Sequence, residues 1–103
     1  MVRKPAEKIV CETPTPGKKP TRIDYWKYHA ISEAILDVLP MSGEGIAFKE
    51  LSELVSEKLD NDIKEKIGSI GWHTTTVKLD LECKKRIARI KGVSPQRLIR
   101  VCE

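Results

Sequence analysis

The chain has 103 residues, 40% of them hydrophobic and 33% charged, with a formal net charge of +4. That size holds one core rather than two, and that balance excludes the low-hydrophobicity regime of disordered chains. No stretch approaches the roughly 18 consecutive apolar residues of a membrane span, and the first residues lack the apolar run of a signal peptide, so a cytoplasmic protein is expected. Cys11, Cys83 and Cys102 are odd in number and widely separated. They form neither a disulfide framework nor a C-x-x-C metal knuckle, and free thiols are expected.

Charge is unevenly spread. Residues 1–24 carry six Lys/Arg and three Asp/Glu, residues 25–68 five and nine, and residues 69–103 eight and three. An acidic middle followed by a basic C-terminal third turns the chain toward an anionic partner, although a solvated charged surface gives the same count.

Residues 1–24 read as a proline-rich arm, because Pro14, Pro16 and Pro20 each remove a donor and restrict the residue before them. Within it, Ile9–Cys11 and Ile23 can lay one extended strand on the body, which is expected to span residues 25–103. Asp24 is a suitable helix N-cap and Pro40 a stop; between them Tyr28, Ile31, Ile35, Val38 and Leu39 follow helical spacing. Tyr25, Trp26 and Tyr28 open this helix, where such a cluster closes a core more often than it stacks on bases.

Ser42-Gly43-Glu44-Gly45 forces a turn, Ile46–Phe48 gives a brief extended entry, and Phe48, Leu51, Val55 and Leu59 line one side of a second helix. Residues 62–71 are ambiguous: Ile63, Ile67 and Ile70 allow further helix, while Gly68 and Gly71 argue for interruption. A third helix is predicted over about Trp72 to Lys85. Ile87–Lys91 and Arg97–Val101, separated by Gly92-Val93-Ser94-Pro95-Gln96, have the pattern of a two-stranded hairpin. The predicted fold is α+β, mainly α: a winged helix-turn-helix of three helices and a C-terminal hairpin, with an extended N-terminal arm.

At 100° per residue the third helix has two apolar faces, Thr74, Val77 and Leu81 on one side and Trp72, Thr76, Leu79 and Cys83 on the other. The ordinary core covers one; the arm, the hairpin or a second copy must cover the other. Thr75, Lys78, Glu82 and Lys85 form a narrow polar strip, flanked by His73, Asp80 and Lys84. Lys78 and Thr75 suit contact with bases, whereas Asp80 and Glu82 repel a DNA backbone unless they are paired or aimed at cytosine amino groups. In the hairpin, Ala88 and Ile90 are expected to face the core and Arg89 and Lys91 to face out.

The run Gly71-Trp72-His73-Thr74-Thr75-Thr76-Val77-Lys78-Leu79-Asp80-Leu81-Glu82 resembles the Trp-x-x-x-Thr-Val-x-Leu-Asp-Leu-Glu signature of a small, uncharacterised bacterial family with a winged-helix-like fold. The segment from Pro16 to Tyr28 also resembles that family's N-terminal arm. The resemblance implies the fold and nothing firm about activity. Two departures from winged-helix proteins in general stand out: Lys85 and Arg86 occupy positions usually held by a glycine and an apolar residue, and Ala47 offers no capping acceptor to the second helix.

His29 and His73 lack ligand partners at zinc spacing, and no phosphate loop or nucleophile elbow occurs, so neither a metal, a cofactor nor catalysis is expected. The leading functional reading is duplex DNA binding, with Thr75 and Lys78 near bases, Arg89, Lys91, Arg97 and Arg100 on phosphates, and Lys85 and Arg86 at the helix-to-hairpin junction. The rival is a protein-interaction or self-associating module, a homodimer for instance, that uses the Trp72, Leu79 and Cys83 face while the basic hairpin serves solubility.

Overall fold

A computed structural model describes residues 8–13, 21–41, 43–90, 92 and 96–101. The proline-rich run 14–20, Lys91 and residues 93–95 of the hairpin loop lie outside the described residues. The elements in chain order are β1 (Lys8–Cys11), β2 (Thr21–Asp24), α1 (Tyr25–Val38), β3 (Ile46–Ala47), α2 (Phe48–Lys58), α3 (Asn61–Ile67), α4 (Ile70–Cys83), β4 (Ile87–Arg89) and β5 (Arg97–Arg100). Among the described residues no helix is long and apolar enough to cross a membrane.

In place of one arm strand there are two. β1 pairs antiparallel with β2, Ile9 opposite Ile23 and Cys11 opposite Thr21. Cys11 and Ile23 are buried in the same apolar cluster as the helices. Asp24 stands at the N-cap of α1 in extended backbone but makes no side-chain cap bond. Its carboxylate instead meets Lys8 at 2.6 Å and Lys27 at 3.8 Å, which pins the hairpin to the helix start and lowers its pKa, chiefly through the Lys8 hydrogen bond.

Ala47, equally unable to cap, precedes α2, and the Phe48 N–H is satisfied from outside the helix by the Gln96 carbonyl at 2.9 Å. The ambiguous stretch resolves into the short α3, ended by Gly68 at φ +84°, after which the Ser69 hydroxyl accepts the Trp72 N–H at 3.1 Å and starts α4. The core lies between α1, α2 and α4, where Ile31, Ile35, Leu51, Val55, Val77 and Leu81 are buried.

The second sheet is antiparallel in the order β3-β5-β4, with Ile46 opposite Leu98 and Ile87 opposite Arg100. Ile87 is the β4 side chain that enters the core, while Ala88 and Ile90 are only half-buried. The expected inward set was therefore one residue out of step. With a two-residue period such a slip exchanges the faces, and Ile87 with Leu98 supplies the apolar pair that the hairpin turns inward. Gly45, at φ +70°, lets the turn before β3 lie against β5: a Cβ there would stand 2.3 Å from the Leu98 carbonyl oxygen.

One polar cluster crosses this core. Asp80, on α4, has 0% exposure. Its carboxylate accepts hydrogen bonds from the Tyr28 hydroxyl of α1, from the Lys84 ammonium at 2.6 Å, and from the Glu12 backbone N–H, just past β1, at 2.9 Å. A carboxylate without water must find such partners or lose its charge. Here they come from three separate parts of the chain. Beside them, burial pushes the Cys11 thiol up to about 11, with a further rise from Asp80, and burial and the Asp80 hydrogen bond push the Tyr28 phenol up to about 12.

Two outcomes follow. Gly45→Ala is expected to destabilise the fold by at least about 2 kcal/mol, since it adds a backbone clash to the left-handed penalty of ~1–2 kcal/mol. Gly43→Ala, also at positive φ but with open space around the new Cβ, should lose only that penalty in urea unfolding. The second concerns pH. Folded Cys11 and Tyr28 keep protons that the unfolded chain releases from 9.0 and 10.0 upward, so their contribution is complete below about pH 9 and is lost by about 11 to 12. Lys78, lowered by burial, works in the opposite sense. The urea midpoint should thus fall less steeply between pH 9 and 11 in Cys11→Ala than in the wild type; equal slopes would show that the thiol contributes nothing.

Candidate nucleic-acid interface

The inner side of α4 is as its periodicity requires: Thr74, Val77 and Leu81 are buried. The polar strip is not. Lys78, His73 and Asp80 are buried too, and among the expected contact residues of this helix only Thr75 is exposed. Lys78 is 2% exposed. Its ammonium lies 4.5 Å from the centre of the Phe48 ring and 3.3 Å from Glu82, and burial lowers its pKa while the Glu82 charge pulls it back up. This cation joins α2 to α4 and does not face a groove.

Glu82 holds a second cation. Arg89 on β4 directs its fork at the same carboxylate, Nε at 2.7 Å and Nη2 at 3.3 Å. The acid that stood against DNA binding is therefore paired on both sides, and a bidentate arginine fastens β4 to the end of α4. Arg97 is also committed: its Nε and Nη2 donate to the Glu44 and Gly45 carbonyls at 2.7 and 3.2 Å, clamping the turn before β3 onto β5. Arg100 is half-buried, its backbone N–H bound to the Pro40 carbonyl at 2.8 Å and its Nε buried without a partner.

Lys85 and Arg86 are different. Both are exposed, and neither has an ion pair or side-chain hydrogen bond among the described residues. Their backbone closes α4 in a Schellman turn: the Lys85 N–H donates to the Glu82 carbonyl at 3.1 Å and the Arg86 N–H to the Leu81 carbonyl at 2.9 Å. That turn places its penultimate residue in the left-handed region, and Lys85 stands there at φ +60°, the one non-glycine residue with positive φ among those described. The departure from glycine noted in the sequence is thus accommodated by backbone strain of order 1 kcal/mol.

The outer side of α4 offers no such charge. Trp72 is 49% exposed, and Thr76, Leu79 and Cys83 are half-buried. The Trp72 ring meets His73 edge-on at 4.9 Å, and the His73 Nδ1 lies 2.7 Å from the Ser69 carbonyl. The face expected to need covering is therefore shielded in part at its C-terminal half and open at Trp72. Among the described residues no three His, Cys, Asp or Glu side chains group so as to hold a metal ion.

Sequence reasoning brought together the basic cluster at the helix-to-hairpin junction, but placed Lys78 outside and could not name the partners of Asp80 and Glu82. The departure at Lys85 was the one sequence signal that pointed to the unusual turn.

No curated protein and no solved structure matches the chain. A family model does match, over residues 8–98, a span that runs from the first residue of β1 through all four helices and into β5. The chain belongs to that family, a family of unknown function (DUF6958).

Proposed function

We propose that the chain is a non-enzymatic winged-helix domain that grips duplex DNA by its phosphate backbone. Support for the fold comes from the succession α1, β3, α2, α4 and the hairpin β4–β5, with the sheet order β3-β5-β4 setting the first strand beside the last. In that reading α3 fills the turn between α2 and α4, α4 is the recognition helix and β4–β5 is the wing.

The observation that carries the DNA reading is the pair Lys85 and Arg86: free cations at the end of α4, one of them kept at a position where glycine would relieve strain. Strain retained beside an unpaired charge is better explained by a contact outside the domain than by anything within it. Phosphate contacts fix position without reading sequence. Thr75 is the one exposed group of the original set on α4 and can donate to a phosphate or a base edge, so sequence preference should be weak.

Self-association is the second reading, favoured by the exposure of Trp72 next to the half-buried Leu79 and Cys83. Exposed tryptophans are frequent anchors of interfaces. Light scattering decides this one: a dimer dispersed by Leu79→Asp supports it.

For the DNA reading, anisotropy with labelled random-sequence duplex should give a complex that weakens steeply between about 50 and 200 mM salt, by counterion release. Removing both Lys85 and Arg86 as alanines should lower affinity about tenfold or more and reduce the salt slope by roughly two. Lys78→Met should leave binding unchanged, because that ammonium never reaches the surface. Lys85→Gly separates the two roles of the residue: stability rises and affinity falls. Absence of any complex at the lowest salt would end the DNA reading.

A further inference from the structure

The end of α4 is not the only surface with an unused chemistry, and the most developed of the others is acidic. A groove of about 590 Å³ runs between α1 and the junction of α2 with α3. Its floor is apolar. Trp26, Ala30 and Ala34 recur every fourth residue on α1 and so share one face; Leu59 and Ile63 form the opposite wall. The two alanines end at Cβ, which is why the helices leave a channel here instead of closing on each other.

Three carboxylates, Glu33, Asp37 and Asp60, stand on the rim against one ammonium, Lys58. Lys58 is taken up by Asp37 at 3.0 Å. Asp60 is exposed and has neither an ion pair nor a side-chain hydrogen bond among the described residues. Glu33 has only His29, at 3.4 Å, which offsets it when protonated and not otherwise. Asp60 is thus uncompensated and Glu33 is met only by an imidazole, on either side of the apolar channel.

We propose that this groove is a docking site for a basic amphipathic helix of a partner protein, its apolar stripe laid on Trp26, Ala30 and Ala34 and its Lys or Arg flanks meeting Glu33 and Asp60. The occupant is fixed by two complementarities. A strip with a four-residue repeat accepts side chains spaced i, i+3, i+4 and i+7, as in helix-in-groove recognition. A rim of three carboxylates against one ammonium favours cations and repels acidic segments and nucleic acid. The site is independent of Lys85 and Arg86, and the DNA reading can fail without affecting it.

The chain has two tryptophans, so Trp72→Phe leaves Trp26 as the only indole and a reporter of the groove. The full chain with this change is titrated with a synthetic helix bearing leucines at i, i+3, i+4 and i+7 and flanking lysines, and with the same helix carrying glutamates for the lysines. Docking should shift Trp26 emission to the blue, saturably, with the lysine helix and not with the glutamate helix. Reversing Glu33 and Asp60 together to lysine, both exposed positions, should weaken binding by about tenfold or more; Ala30→Leu should block the channel. The proposal is overturned by no saturable shift up to about 1 mM peptide, by equal shifts with both helices, or by undiminished binding after charge reversal. It is also overturned if light scattering shows that a second copy fills the groove, as a dimer dispersed by the same charge reversal.

Discussion

The organisation of the molecule depends on one buried carboxylate. Asp80 sits on α4, the helix that packs against α1, α2, β1 and β4, and it receives donors from α1, from Lys84 at the C-cap of its own helix and from the backbone beyond β1. In the apolar interior an unpaired carboxylate is worth several kcal/mol of destabilisation, whereas a fully satisfied one fixes the geometry of whatever supplies its donors. Tyr28 thereby sets the approach of α1 to α4. Glu12 sets the position of the N-terminal hairpin, whose Cys11 and Ile23 then complete the apolar cluster.

A second carboxylate repeats the device one half-turn further on. Glu82 pairs with Lys78, which carries the contact on to Phe48 of α2, and with Arg89, which carries it on to β4. The Asp-Leu-Glu run at 80–82 is thus two polar locks around one buried leucine. Asp80 orients the N-terminal side of the fold and Glu82 the C-terminal side. The chemistry left over is what neither lock consumes: the cations Lys85 and Arg86, the open indole of Trp72, and the acidic groove on the far side of α1.

Much of the architecture could be read from the sequence because apolar periodicity reports burial directly. The inner stripe Thr74, Val77 and Leu81, the α2 stripe, the break before Pro40 and the C-terminal hairpin all appear where spacing puts them. Charged residues were harder. Lys78, Asp80 and Glu82 lie next to the apolar stripe on the helix surface, and periodicity alone reads such positions as solvated. The burial of Asp80 depends on partners far away in sequence, since Glu12 is 68 residues and Tyr28 52 residues from it, while Glu82 is held by Lys78 on its own helix and by Arg89 on β4. The inward face of β4 was missed for a related reason: in Ile87-Ala88-Arg89-Ile90 the alternation fits either face, and buried Ile87 shares its face with Arg89, which reaches Glu82. Lys85 shows another case, in which the departure from the usual glycine marked the turn as unusual while its left-handed conformation became visible only in the structure.

The most direct examination of the Asp80 lock is Asp80→Asn, followed by urea unfolding and by native-state hydrogen exchange at the amides of β1 and Glu12. If Asp80 holds the fold together, the variant loses about 3 kcal/mol or more, and exchange at β1 accelerates ahead of exchange in α2. A loss below about 1 kcal/mol, with the hairpin amides as protected as before, would mean that apolar packing alone holds the hairpin and both helices in place.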